Sequence, residues 1–348
     1  MTRPAWRRWL SLIIATAVVA LSLTGCGLPN RRGAADAIDK AIRTMPGVAN
    51  TDIRYDTSFD GGAYFSMTVT LTAQTSNDQG AAVARAFFEQ VIAADFTSFH
   101  VQLELHYQRP GATPADSVLN FSYDFVQGVR GGPSPDAVAE TATWWFDVAH
   151  SPGVMSAAVT LPLDGIDAHD GSYVGVTIPV DADDAVLTDL IHRHPQLNSA
   201  RWNVVAPSRP YPFPPRSYTS TGRFLDHHSR LTWARIVDQL QPDDVAKAST
   251  QIPPDNGQPP TTVDIGWGLV SGRDGDFERV ARGVAALLTE LPGPVLFQLT
   301  TRVMDPVTND VVDRNLAITV GGCTATDPNR LTPPLPLENE LRHLYERC

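Results

Sequence analysis

The sequence predicts an α+β fold: three tandem αββαββ units, each a permuted ferredoxin-like sandwich with an antiparallel sheet and its helices on one face. Helical and strand periodicities alternate along the chain in the repeated order α, β, β. Thr44-Met45-Pro46-Gly47-Val48 and His150-Ser151-Pro152-Gly153-Val154 each stand between an amphipathic helix and an extended segment, as equivalent joints of a repeat would. The length of 348 residues suits two or three units, and 43% hydrophobic residues suffice for their cores.

In the first unit, residues 34–130, Ile38, Ala41, Ile42 and Met45 recur at helical spacing and Pro46-Gly47 stops the helix. Residues 50–59 and 64–73 read as strands joined by Asp60-Gly61-Gly62, a hairpin signal. Residues 78–94 read as a helix with Val83, Phe87, Val91 and Ala94 on one face, and 99–108 and 117–125 as two more strands. The second unit, residues 131–224, repeats the order. It has helices over 136–150 and 182–194 and strands over 154–162, 172–179, 199–206 and near 217–224. The third, residues 225–323, has helices over 231–240 and 276–290. Its strands are expected over 246–252, where apolar alternation is poor, and over 261–270, 294–302 and 311–320. A cyclic shift of αββαββ gives βαββαβ, the ferredoxin-like order. Residues 206–216 hold five prolines and read as a stiff polyproline connection. Residues 324–348 read as a C-terminal strap with a short helix over 337–347.

The N-terminus has a different logic. Arg3, Arg7 and Arg8 precede an apolar run from Trp9 to Leu23, which Leu23-Thr24-Gly25-Cys26 closes. The run falls short of the roughly 20 residues that span a bilayer, so residues 1–25 read as a signal peptide. Its ending resembles the lipobox of bacterial lipoproteins. In that family the signal is cut before the Cys and the thiol is diacylated, palmitate being a usual chain. The resemblance therefore implies lipidation of Cys26, with residues 26–33 as a short tether. Two acyl chains hold a protein at a membrane where one does not. The Arg- and Ala-rich leader and the Ala, Asp, Val and Arg-heavy body look like those of actinobacterial lipoproteins of the mycobacterial type. That resemblance implies anchoring at the outer leaflet of the cytoplasmic membrane, and it implies no activity.

Charge narrows the partners. The chain carries a formal net charge of −11, and removal of Arg3, Arg7 and Arg8 with the leader makes it −14. An acidic body gains nothing from releasing counterions from phosphates, which argues against nucleic acid. It is also repelled by anionic headgroups, so a lipid rather than a basic patch is expected to hold it at the membrane. With Cys26 acylated, Cys323 and Cys348 remain as an even pair, and in an oxidising compartment a structural disulfide is expected between them. Closing a loop of that length stabilises by about 3 kcal/mol in the chain-entropy model.

Catalytic motifs are missing from the sequence. There is no G-x-S-x-G, S-x-x-K, P-loop, G-x-G-x-x-G or C-x-x-C. His192 and His194 diverge on a helix end, and Asp226-His227-His228 lacks metal-ligand spacing. Asp164, Asp167 and Asp170 lack the spacing and closing Glu of a calcium loop. Asp181, Asp183, Asp184, Asp274 and Asp276 suit helix starts. Trp144, Trp145, Trp202, Trp233 and Trp267 suit cores, although Trp144 and Trp145 cannot both enter one stripe. No catalytic residue, metal ligand or cofactor is assigned. The expected function is that of an anchored, non-enzymatic binding or assembly module whose partner is an envelope protein or a cell-wall component. The competing expectation is an extracytoplasmic hydrolase or metal enzyme whose site gathers His169, His192, His194, His227 and His228 from distant sequence.

Overall fold

The structure is a computed structural model that describes residues 30–58, 62–109, 117–124, 134–162, 173–206, 216–251, 259–267, 274–304, 311–324 and 333–348. Helix α1 (Arg32–Arg43) leads into β1 (Val48–Ser58) and β2 (Gly62–Leu71). The pattern then repeats: α2 (Asn77–Ala93), β3 (Phe99–Tyr107), β4 (Ser117–Asp124); α3 (Pro135–His150), β5 (Ser156–Pro162), β6 (Tyr173–Pro179). It continues with α4 (Asp184–Arg193), β7 (Arg201–Val205), β8 (Arg216–Thr221); α5 (His227–Asp238), β9 (Val245–Gln251), β10 (Thr261–Trp267). The last round is α6 (Asp274–Leu288), β11 (Val295–Met304) and β12 (Val311–Val320), followed by α7 (Pro336–Tyr345).

The twelve strands among the described residues form one sheet in sequence order, β1 to β12. Strand pairs within a hairpin are antiparallel, as in β1–β2 and β3–β4. Pairs that flank a helix are parallel, as in β2–β3, β4–β5, β6–β7, β8–β9 and β10–β11. This corrects the expectation of antiparallel, ferredoxin-like sheets. Each helix carries the chain back to the end where the preceding strand began, and the next strand then adds beside that strand, so the two must run parallel. A plait would place another strand between them.

One face of the sheet is largely apolar, with buried Ser220, Thr250 and Thr261 among its exceptions. In register, Met67 pairs with Leu103, Leu103 with Phe121, Val176 with Trp202 and Val263 with Phe297, and all are buried. The helices cover that face. Phe87 of α2 stacks on Phe65, Phe88 meets Phe121 edge-on, Phe146 of α3 meets Tyr107 and Trp233 of α5 meets Tyr218. Burying each such ring stabilises by roughly 1.5–3 kcal/mol. Trp145 donates from Nε1 to the Ala157 carbonyl at 3.0 Å. Trp144 is only half-buried, with its ring 6.3 Å from that of His194. Gly80 lets α2 approach α3: a Cβ there would lie 1.7 Å from the Phe146 ring. Since strand polarity reverses with every hairpin while the helices stay on one face, successive β-α-β crossovers are opposite in hand. Right-handed crossovers are otherwise nearly universal.

The Pro-Gly joints are the same turn. Val48 N–H donates to Met45 O at 3.2 Å and Val154 N–H to Ser151 O at 3.2 Å. Gly47 and Gly153, third in their turns, have φ of +88° and +78°. Pro second and a positive-φ Gly third make a type II turn. Gln241-Pro242-Asp243-Asp244 closes likewise, with Asp244 N–H on Gln241 O at 3.0 Å. Two arginines cap the preceding helices: Arg109 donates to Ala149 O and Ser151 O, and Arg216 to Val237 O, Gln241 O and Asp244 O.

Smaller expectations divide. The tether was expected to reach Gly33, yet α1 begins at Arg32. The strand of poor alternation, β9, is fully formed, with Ala246, Ala248 and Thr250 turned inward. Those inward residues are small or polar, which hid the period of two. Ser76 and Gln79 form a capping box on α2, and Asp183 and Asp226 cap α4 and α5. At the C-terminus α7 lies on β12 and α6. Cys323 and Cys348 stand at disulfide distance, Cα to Cα 5.1 Å. The leader, Cys26, residues 207–215 and the Asp164–Asp170 segment lie outside the described residues. Among the described residues no helix is long and apolar enough to cross a membrane.

Candidate groove on the polar sheet face

The period of two that sends Tyr218 and Ala248 into the core sends their neighbours to the opposite face. Ser217, Thr219 and Thr221 of β8, Lys247, Ser249 and Gln251 of β9, and Thr262 and Asp264 of β10 therefore share the face that the helices leave bare. With Arg201 of β7 and Pro259 and Pro260 before β10 they line a groove of about 670 Å³. Lys247 and Asp264, directly paired across β9 and β10, also line an adjoining depression of about 390 Å³ with Val245, Gly266 and Thr300.

The same face over β1–β4 is polar too, but its groups satisfy one another. Tyr64 stacks on His100 at 5.4 Å and donates to Gln102 Oε1 at 2.5 Å. Gln102 Nε2 donates to Glu104 and Asn120 at 2.9 and 3.2 Å, and Ser122 meets His100 at 3.0 Å. In the groove Thr219 donates weakly to Asn203, at 3.5 Å. Arg201, Ser217, Thr221, Lys247, Ser249 and Thr262 make no side-chain hydrogen bond among the described residues. Their donors and acceptors face open space in a row. Asp264 is exposed on this wall; partial desolvation raises its carboxyl above the ordinary 3.8, and nearby Lys247 draws it back.

The histidines do not gather. His194 bonds Asp147 at 2.6 Å, and Arg193 also reaches that carboxylate. His227 faces Arg230 at 3.4 Å, His228 lies 3.9 Å from Glu290, and His192 lines an open depression with Asp184 and Asp189. His169 lies outside the described residues. Asp147 and His194 join α3 to the end of α4, and no hydroxyl or thiol bonds that imidazole among the described residues. No group of three or more His, Cys, Asp or Glu could hold a metal ion among the described residues. The Asp pair Asp183–Asp184 serves α4, and Asp184 also meets Arg230.

The groove holds no reactive constellation, so no catalytic motif marks it in the sequence. A usable signal was there: Ser, Thr, Gln and Lys at every second position of two neighbouring strands. Comparison with protein-family models, with curated proteins and with solved structures finds no match to the chain.

Proposed function

We propose that the chain is a lipid-anchored protein of the cell envelope, a non-enzymatic binding module of three αββαββ units that holds a cell-wall component on its polar sheet face. The basic-then-apolar leader and Leu23-Thr24-Gly25-Cys26 support the anchor, with Cys26 acylated on the extracytoplasmic side. Recurrence of the element order, of the turns at Met45 and Ser151 and of the Arg109 and Arg216 caps supports the units. The observation that carries the binding reading is in the groove lining: Arg201, Ser217, Thr221, Ser249 and Thr262 make no side-chain hydrogen bond among the described residues, beside a face where equivalent groups are bonded to each other.

Sedimentation tests it. The Cys26→Ala chain, free of lipid, is mixed with washed cell-wall fragments and spun. It should pellet with them, and Thr219→Glu with Ser249→Glu should abolish pelleting at unchanged thermal stability. Glu278→Gln on the exposed side of α6 should change nothing. No pelleting, or pelleting indifferent to the groove pair, overturns the reading.

A further inference from the structure

Resting on that reading, we infer that the groove over β7–β10 is a subsite for an acidic glycan, a short polysaccharide segment bearing carboxylates. Two cations mark its ends. Arg201 begins β7 and pairs with Thr221, which pairs with Gln251; Lys247 lies four residues before Gln251 on β9. Two strands across and four residues along place these backbone positions about 16 Å apart. Projecting outward from the sheet they stand at opposite ends of the groove, so a ligand that meets both in that orientation is extended. Within the groove itself two cations face the one carboxylate of Asp264, while Asp243 lines the adjoining depression on the far side of Lys247, so the positive sign is strongest at the Arg201 end of a chain of net charge −11. An acidic ligand would be drawn here and repelled elsewhere.

Between the cations the wall offers hydroxyls: Thr221, Thr219, Ser217, Ser249 and Thr262. Such groups both donate and accept, which matches the hydroxyls of a sugar chain and fits poorly with an apolar peptide. A second feature sits at the Arg201 end. Gly175 of β6 pairs with Arg201 and is buried although it belongs to the bare face. Tyr173, 38% exposed, covers it: a Cβ on residue 175 would lie 2.2 Å from the Tyr173 hydroxyl oxygen. Gly175 therefore lets an exposed aromatic ring lie down on the sheet beside Arg201. A flat aromatic face next to a cation and a row of hydroxyls is the surface on which a sugar ring packs its C–H groups.

Calorimetry with tetragalacturonate, maltotetraose and oligoglutamate as probes tests the inference on the lipid-free chain. Tetragalacturonate should bind saturably and weaken with salt, and the other two should bind at least about tenfold more weakly. Arg201→Ala and Lys247→Ala should each weaken tetragalacturonate by about tenfold, the scale of one charge-assisted hydrogen bond. Tyr173→Ala should cost about fivefold and Tyr173→Phe little. Gly175→Ala, which must lift the ring, should match Tyr173→Ala and add nothing to it in the double variant. Equal binding of oligoglutamate would make the groove a general anion patch and overturn the glycan. Absence of tetragalacturonate binding, while wall fragments still pellet the chain through Thr219 and Ser249, would overturn the ligand class and leave the binding module standing.

Discussion

The Arg230 guanidinium meets the Asp184 carboxylate at 2.7 Å from a position with no solvent exposure. The same side chain donates to Val180 O, Ala182 O and Leu225 O. One residue of α5 thus ties down the loop that starts α4 and the entry to its own helix. Arg230→Ala would strip three buried carbonyls of their donor, at about 1–3 kcal/mol each before relaxation. A total loss of about 3–5 kcal/mol is expected by urea unfolding. Arg230→Lys should recover little, because an ammonium cannot reach the same fork of acceptors. A midpoint unchanged in Arg230→Ala would refute the tie.

Acid should loosen the protein in two stages. Burial pushes the His150 imidazole below its ordinary value of 6.5, and Arg109 lowers it further, against the bond to Phe146 O and the charge of Asp147. The unfolded chain therefore takes up this proton first. The stabilisation is complete above pH 6.5 and is lost as pH falls through the lower folded value. Burial raises Asp147, but bonds from His194 and Arg193 outweigh it and hold it below 3.8, so its contribution is lost at more acid pH. His150→Phe, set between Tyr107 and Phe146, should flatten melting temperature against pH between 7 and 5 and leave the acid stage. An unchanged slope in that range would exclude His150 as its source.

The two Pro-Gly turns should respond unequally to alanine. Both glycines have positive φ, so each substitution costs about 1 kcal/mol from backbone strain. A Cβ on Gly153 meets only Ala182 Cβ, at 3.7 Å. One on Gly47 meets Thr75 at 2.9 Å, and Thr75 Oγ1 donates to Gly47 O at 2.7 Å. Gly47→Ala should therefore lower the melting temperature clearly more than Gly153→Ala. The reverse order would refute this account of the joint.

The C-terminal pair gives a simpler experiment. Reduction, or Cys348→Ser, should cost about 3 kcal/mol. The loss should be local, because Gly321 N–H donates to Tyr345 O and Arg347 N–H to Gly322 O, so the tail is stitched to the end of β12. Hydrogen exchange should rise in α7 and β12 and not in β1–β4. A uniform rise would show that the bond holds the whole sheet instead.

Much of this was legible locally. Ile38 with Ile42, Phe87 with Val91 and the Pro46 and Pro152 joints announce helices, ends and strands through neighbours in sequence. Strand partnership was less so. Nothing in residues 117–124 or 156–162 says that β4 will pair with β5 in parallel, because that choice is made between segments by packing of α3 over both. The β9 strand hid behind Ala246 and Ala248, whose small side chains give a weak alternation. The groove was legible as a polar period of two, but its function depends on which residues lack partners, and only three-dimensional neighbours decide that: Tyr64 has Gln102, whereas Ser249 has no side-chain partner among the described residues.

Sequential strand order also governs the time course of assembly. Each new α-β-β segment finds its docking edge already built by the segment before it, so the chain can fold from its N-terminus as it emerges from a ribosome or a membrane pore. No stretch has to wait for a distant partner. Besides the standing edge at β1, the growing sheet carries a second raw edge that moves toward the C-terminus with synthesis. A bond between Cys323 and Cys348 can form only after β12 is in place, so it ties α7 to that strand late in the sequence of events.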